Sequence, residues 1–152
     1  KINTRLSRDL IYLVQTQTTV GLLSNNIKKL STIKQRLINQ KMLCEVDSFQ
    51  TLLKHTRVPS KYKKMVRKSN LTTFIYPNQK SFRVVDNNHK HFVFLKKFKN
   101  IYSTSANITS KRFDKEWAME NADIIIEDKD GFVEQQSSSM YKLSKTKIKK
   151  IR

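Results

Sequence analysis

Glycine and proline are nearly missing from this chain, with two of each among 152 residues. Phosphate loops of the P-loop and dinucleotide-binding kinds need several glycines at fixed spacing, because only a bare backbone can wrap a phosphate closely. The hydroxyl-rich stretch Thr16-Gln17-Thr18-Thr19-Val20-Gly21 carries one glycine and fits neither pattern. The single cysteine, Cys44, excludes an internal disulfide framework, and with three scattered histidines it makes a zinc site improbable. Cys44 sits in the apolar run Met42 to Val46 and reads as a buried, inert thiol. His55, His89 and His91 have no acid or nucleophile at a recognisable spacing and read as surface residues. No apolar run approaches the roughly 20 residues of a membrane span. No signal-peptide pattern opens the chain, so a cytoplasmic setting with no membrane partner is expected.

Acidic residues are also scarce, 12 Asp and Glu against 31 Lys and Arg, for a formal charge of +19. Such an excess suits a polyanionic partner, usually RNA or DNA. A second reading stands beside it. The cations are 23 Lys and only 8 Arg, and an AT-rich coding bias would produce that profile with no nucleic acid involved.

What the chain does contain is a regular alternation of strand-like and helix-like segments. Leu10 to Thr16 reads as a buried strand, Thr16 to Gly21 as a polar turn, and Ser24-Asn25-Asn26 as the cap of a helix through Ile27, Leu30 and Ile33 to about Arg36. Lys41 to Val46 reads as a strand, Asp47 as the cap of the next helix, and Pro59-Ser60 as the start of another. Leu71–Tyr76 and Ser81–Val85 form a hairpin pair, followed by a helix over His89 to Phe98. Ile101–Ala106 and Asp123–Glu127 are further strands, with a short helix from Asp114 to Asn121 between them. The pattern predicts one α/β domain over 1–152, with a mostly buried mixed sheet.

Candidate chemistry gathers in few places. Ser103, Ser105 and Asn107 alternate at the carboxyl end of a buried strand, where open α/β sheets bind ligands. They read equally as a ligand surface or as a polar strand end with Asn107 capping a turn. Lys34 and Arg36 stand two apart and share no helix face, so they can serve one ligand only if the helix ends there. Asn39 and Gln40 just beyond are consistent with such an exit. Arg83 is a lone cation on an apolar strand, a placement that usually holds a carboxylate or phosphate or else points outward at an edge.

In this order along the chain, the motifs resemble those of the YrdC-like family. Its members are threonylcarbamoyl-AMP synthases that begin the threonylcarbamoyl-adenosine modification of tRNA. Lys34-Gln35-Arg36 matches the family's Lys-x-Arg, and Ser103 to Asn107 matches its Ser-x-Ser-Ala-Asn in full. Its first motif is matched at Thr16, Thr18, Gly21 and Leu22 but not at Gln15, Gln17 or Val20. Thr73-Phe74-Ile75, Phe82 to Asp86, Ser137 to Met140 and Ile151-Arg152 echo later motifs.

The resemblance implies a twisted mixed sheet flanked by helices, with a basic concave face. It implies the reaction of L-threonine, bicarbonate and ATP to threonylcarbamoyl-AMP and pyrophosphate. Lys34 and Arg36 would hold the triphosphate. Ser103, Ser105 and Asn107 would bind phosphate and help place a Mg²⁺ carried mainly by phosphates, with Ser139 and Arg152 as further nucleotide contacts. Thr16, Thr18 and Arg83 would line the threonine end. Contact with tRNA or double-stranded RNA, and a separate downstream threonylcarbamoyl transferase, are implied partners. The altered first motif leaves an alternative open, a catalytically degenerate RNA- or nucleotide-binding module on the same fold.

Overall fold

The computed structural model describes residues 7–37 and 41–152, so Asn39 and Gln40 lie outside the described residues. Nine strands form one mixed sheet. In chain order they are β1 (Tyr12–Gln15), β2 (Val20–Ser24), β3 (Leu43–Val46), β4 (Thr72–Ile75), β5 (Ser81–Val84), β6 (Asn100–Ser105), β7 (Ile124–Ile126), β8 (Ser139–Leu143) and β9 (Ile148–Lys150). Across the sheet they run β7-β1-β2-β6-β3-β5-β4-β8-β9. Only β1 with β7, β3 with β5 and β4 with β8 are parallel. Helices α1 (Ile27–Ile33), α2 (Phe49–His55), α3 (Lys63–Lys68), α4 (His91–Leu95) and α5 (Lys115–Asn121) flank it.

The apolar run at the start of the sheet is continuous because both of its faces are covered. Ile11 and Leu13 pack with Leu22, Leu30 and Ala118 beneath α1 and α5, while Tyr12 and Val14 pack with Phe94, Leu95 and Phe98 around α4. A third cluster, Leu52, Val58, Tyr62, Val66, Phe74 and Phe82, sits under α2 and α3. Tyr102 packs against both this cluster and that beneath α1 and α5, so the two share a face of the sheet.

Three expectations are corrected. The turn after β1 closes at Thr19, and Val20 to Ser24 is a strand whose Gly21 pairs with Val14 and Ser105. Ser48, not Asp47, caps α2, its Oγ accepting from Thr51 N at 3.1 Å while Asp47 accepts the Thr51 hydroxyl. The helix at His89 to Phe98 is regular only over His91–Leu95. The Pro77–Lys80 hairpin is present, and Cys44 is buried, with burial first and the nearby Glu45 second pushing its pKa up to about 12.

Candidate functional site

A hollow of about 250 Å³ opens at one end of the middle strands. The sheet is mixed, so this rim collects the carboxyl ends of β1 and β6 but the amino ends of β2, β3, β5 and β8. Its walls carry Thr16, Thr18 and Thr19 from the β1–β2 turn, Ser103, Thr104 and Ser105 from β6, and Ser138 before β8. Four cations, Arg36, Lys41, Arg83 and Arg152, reach it, and no Asp or Glu lines it. The hollow is therefore basic and hydroxyl-lined, a chemistry suited to an anion that needs both charge and short donors.

The way the chain leaves α1 places Arg36 there. Lys34 is the C-cap of α1, and Gln35 takes a left-handed φ of 54°. Arg36 N donates to Ser31 O at 2.8 Å and Gln35 N to Thr32 O at 3.1 Å, the paired bonds of a Schellman stop. That reversal sends neighbouring cations in different directions. Arg36 turns into the hollow. Lys34 is 4% exposed, and its ammonium donates to the carbonyls of Ser105 (2.8 Å) and Asn107 and to Asn107 Oδ1 at 3.4 Å. Burial first, and the Arg36 charge second, lower its pKa to about 8. Lys34 thus ties the serine–asparagine segment to α1 and does not line the hollow.

Asn107 spends its amide on the protein too, donating to Ile108 O at 3.0 Å and Lys111 O at 2.8 Å. Of the two readings open for it, the structure shows the turn cap. Asn107 nonetheless borders a smaller adjoining hollow of about 150 Å³, which shares Thr19, Ser105 and Ser137 with the main one and adds Glu134. Ser139 is exposed and lies outside both linings, whereas Ser138, one residue earlier, is buried within the main one.

The threonine turn is self-supporting. Thr16 Oγ1 donates to Thr19 O at 2.6 Å and accepts from Thr18 N at 3.2 Å, so its hydroxyl performs the closure a glycine turn would otherwise make. Gly21 is needed for space. A Cβ there would stand 2.6 Å from Leu23 Cδ1, 3.0 Å from Thr16 Cγ2 and 3.4 Å from Ser103 Oγ.

Arg83 ends a polar chain that crosses the sheet. Its Nη2 lies 3.4 Å from Glu45 Oε2, and its Nη1 donates to Thr73 Oγ1 at 3.4 Å. Thr73 and Ser138 exchange a hydroxyl bond at 2.8 Å, and Arg152 donates to Ser138 O at 2.8 Å and to Ser138 Oγ at 3.3 Å. On the other side Glu45 Oε1 accepts from His91 Nε2 at 3.2 Å. Burial alone would raise the Glu45 pKa, but His91 and then Arg83 hold it well below the carboxylate range. Burial and the charge of Arg83 lower the pKa of Arg152, as expected for two cations held near each other. His91, expected at the surface, is 2% exposed and lies in the core against Phe94. Among the described residues Arg83 Nε and His91 Nδ1 are buried without a partner.

The structure thus gathers Arg36, Arg83, Ser103, Ser105, Thr16, Thr18 and Arg152 around one space and leaves Lys34, Asn107 and Ser139 outside it. Sequence reasoning missed Lys41, which no motif marked, and took Ser139 from the Ser137–Met140 motif where the structure places Ser138 in the lining. It also missed Glu45, whose single signal was a charge inside an apolar strand. Among the described residues no three His, Cys, Asp or Glu cluster as a metal site, and no helix is long and apolar enough to cross a membrane.

No family model and no curated protein matches the chain. Solved structures do. Sua5 of P. abyssi, complexed with L-threonine, gives a TM-score of 0.74 at 16% identity, covering 94% of this chain and 50% of its own. MTH1692 from Methanobacterium thermoautotrophicum gives 0.69 at 15%, covering 100% and 90%. E. coli YciO gives 0.73 at 14%, covering 95% and 82%. The fold is thus that of the Sua5/YrdC proteins, and the chain spans about half the length of the Sua5 structure.

Proposed function

We propose that this chain is an L-threonylcarbamoyladenylate synthase, using ATP, bicarbonate and L-threonine to make threonylcarbamoyl-AMP and pyrophosphate for tRNA modification. The observation that carries this reading is the acid-free hollow in which Arg36 meets the Ser103–Ser105 strand end. Arg36 and Lys41 bind the polyphosphate, and the hydroxyls of Ser103 and Ser105 donate to its oxygens. The Arg83–Arg152 end takes the threonine carboxylate, with Thr16 and Thr18 beside it. Attack of the carbamate oxygen on the α-phosphorus displaces pyrophosphate, so positioning and neutralisation of growing phosphate charge do most of the work.

A Mg²⁺ would supply further neutralisation. The Ser105 and Ser137 hydroxyls and the Glu134 carboxylate around the adjoining hollow are oxygen donors suited to that ion, which keeps most of its shell as phosphate and water. Lys34 is a positioning residue in this scheme, fixing the carbonyls of Ser105 and Asn107 so that the neighbouring hydroxyls face the ligand.

The test is pyrophosphate release with product identified by mass spectrometry. Turnover that needs both L-threonine and bicarbonate is expected. ATP binding with no threonine-dependent turnover would leave the fold as a nucleotide-binding module and refute the synthase.

A further inference from the structure

A second cavity, of about 770 Å³, shares no residue with the hollow described above. It lies between the α2 exit at His55–Lys61, the β4–β5 turn at Pro77–Asn78 and the β8–β9 turn at Lys145–Thr146. Both prolines of the chain, Pro59 and Pro77, stand in its wall. Lys61 Nζ donates to Thr146 O at 3.1 Å and Asn78 Nδ2 to Thr56 Oγ1 at 2.9 Å, which ties the three segments together. The cleft is preformed, with stiff apolar walls and the cations Arg57, Lys61 and Lys145 on it.

The surrounding charge is not scattered. Residues 48–85 hold nine Lys and Arg and residues 135–152 hold six, fifteen of the 31, while none of the 12 acids falls in either stretch. Eight of those acids lie between Asp114 and Glu134. The two acid-free stretches meet in space, because β4 pairs with β8 and α2 and α3 pack on the same cluster as Leu143. A coding bias toward lysine would not by itself clear the acids from one end of the sheet.

We propose that this lobe binds single-stranded RNA, with an unpaired base entering the proline-walled cleft and its flanking phosphates lying on Arg57, Lys61 and Lys145. A cation field without acids attracts a phosphate backbone. Arg57 and His55, both exposed on its wall, are flat groups of the kind on which a base stacks. A duplex keeps its bases stacked and a bilayer is flat, so neither offers a single base to a concave cleft. RNA is the polyanion that presents unstacked bases in folded loops. The proposal does not depend on the synthase reading, because its test contains no ATP or threonine.

The full chain is titrated by fluorescence anisotropy against a short labelled single-stranded RNA at several salt concentrations. The matching duplex RNA, single-stranded DNA and phosphatidylserine vesicles serve as comparisons. The variant R57A/K61A/K145A is expected to bind the single strand roughly tenfold or more weakly, with the log–log salt slope reduced by roughly 2. The control K28A/K29A/K96A removes the same charge from exposed positions outside the lobe and is expected to stay within about twofold. Should the first triple variant fail to fold, photocrosslinking of thiouridine-substituted RNA to the wild-type chain must map to the cleft. Equal weakening by both triples, crosslinks elsewhere, or no RNA binding at low salt would overturn the proposal. So would preference for duplex, DNA or vesicles, or an RNA-independent dimer lost in the cleft variant, which would give the lobe to a second copy of the chain.

Discussion

Replacing Glu45 by glutamine should cost this protein a large part of its stability and blunt its response to acid. Glu45 is fully buried, and its carboxylate is shared between Arg83, itself 4% exposed, and His91. Its pKa falls from 4.5 to about 2, which at ~1.4 kcal/mol per unit corresponds to about 3 kcal/mol. Because the folded value lies below the unfolded one, that stabilisation is complete above pH 4.5 and is lost as pH falls towards 2. A second route gives a similar size, since removing one partner of a buried ion pair costs roughly 3–5 kcal/mol by leaving the other charge uncompensated. Urea unfolding at pH 7 should therefore show Glu45→Gln about 3 kcal/mol less stable. Repeated across pH 5 to 2, the wild-type free energy should fall along a limb that the variant lacks. A variant within about 1 kcal/mol of wild type at pH 7, or one that keeps the acid limb, would refute the charged network.

Three other substitutions probe the hollow and its supports. Lys34→Met keeps an apolar stem but strands the Ser105 and Asn107 carbonyls, at a cost of about 1–3 kcal/mol in urea unfolding. Since the Lys34 pKa is lowered to about 8, the unfolded chain binds more protons between pH 8 and 10.5, so this group makes stability rise with pH there, and the variant should lack that rise. Gly21→Ala forces a methyl against Leu23 and Thr16 and should destabilise by about 1–3 kcal/mol, read as a lower melting temperature. Arg36→Ala should leave thermal stability nearly unchanged while costing roughly 2–4 kcal/mol of transition-state stabilisation in kcat/KM for threonine-dependent pyrophosphate release.

Most strands and helices were legible because their signals are local, but β2 reads as part of a turn and β8 and β9 carry no strand signal strong enough to mark them. Leu10 to Thr16 reads as a buried strand from composition, and Ser24–Asn26 reads as a helix cap, a role the structure gives to Asn26, whose side chain accepts from Lys29 N. Gly21 misled, since a lone glycine after polar residues looks like a turn when it lies in a strand and leaves room for the Leu23 and Thr16 side chains. His91 misled for a similar cause. Its partner Glu45 is forty-six residues away, and nothing at either position announces the other. The Lys34–Arg36 pair was correctly tied to the helix end, yet the direction each side chain takes is set by the left-handed turn at Gln35, which carries no glycine to mark it.

The same network bears on how the hollow divides its ligand. Arg83 already faces a carboxylate, and Arg152 is hydrogen-bonded to Ser138, so that end is partly compensated from within. Arg36 and Lys41 line the hollow and make no ion pair among the described residues. The uncompensated cations therefore suit the more highly charged part of a ligand, and the compensated pair suits a single carboxylate. In a site otherwise without acids, Glu45 lets two guanidiniums stay near each other without demanding a second phosphate. Under the synthase function proposed above, this gradient favours a polyphosphate at the Arg36 end and an amino-acid carboxylate at the Arg83 end, on either side of Ser103 and Ser105.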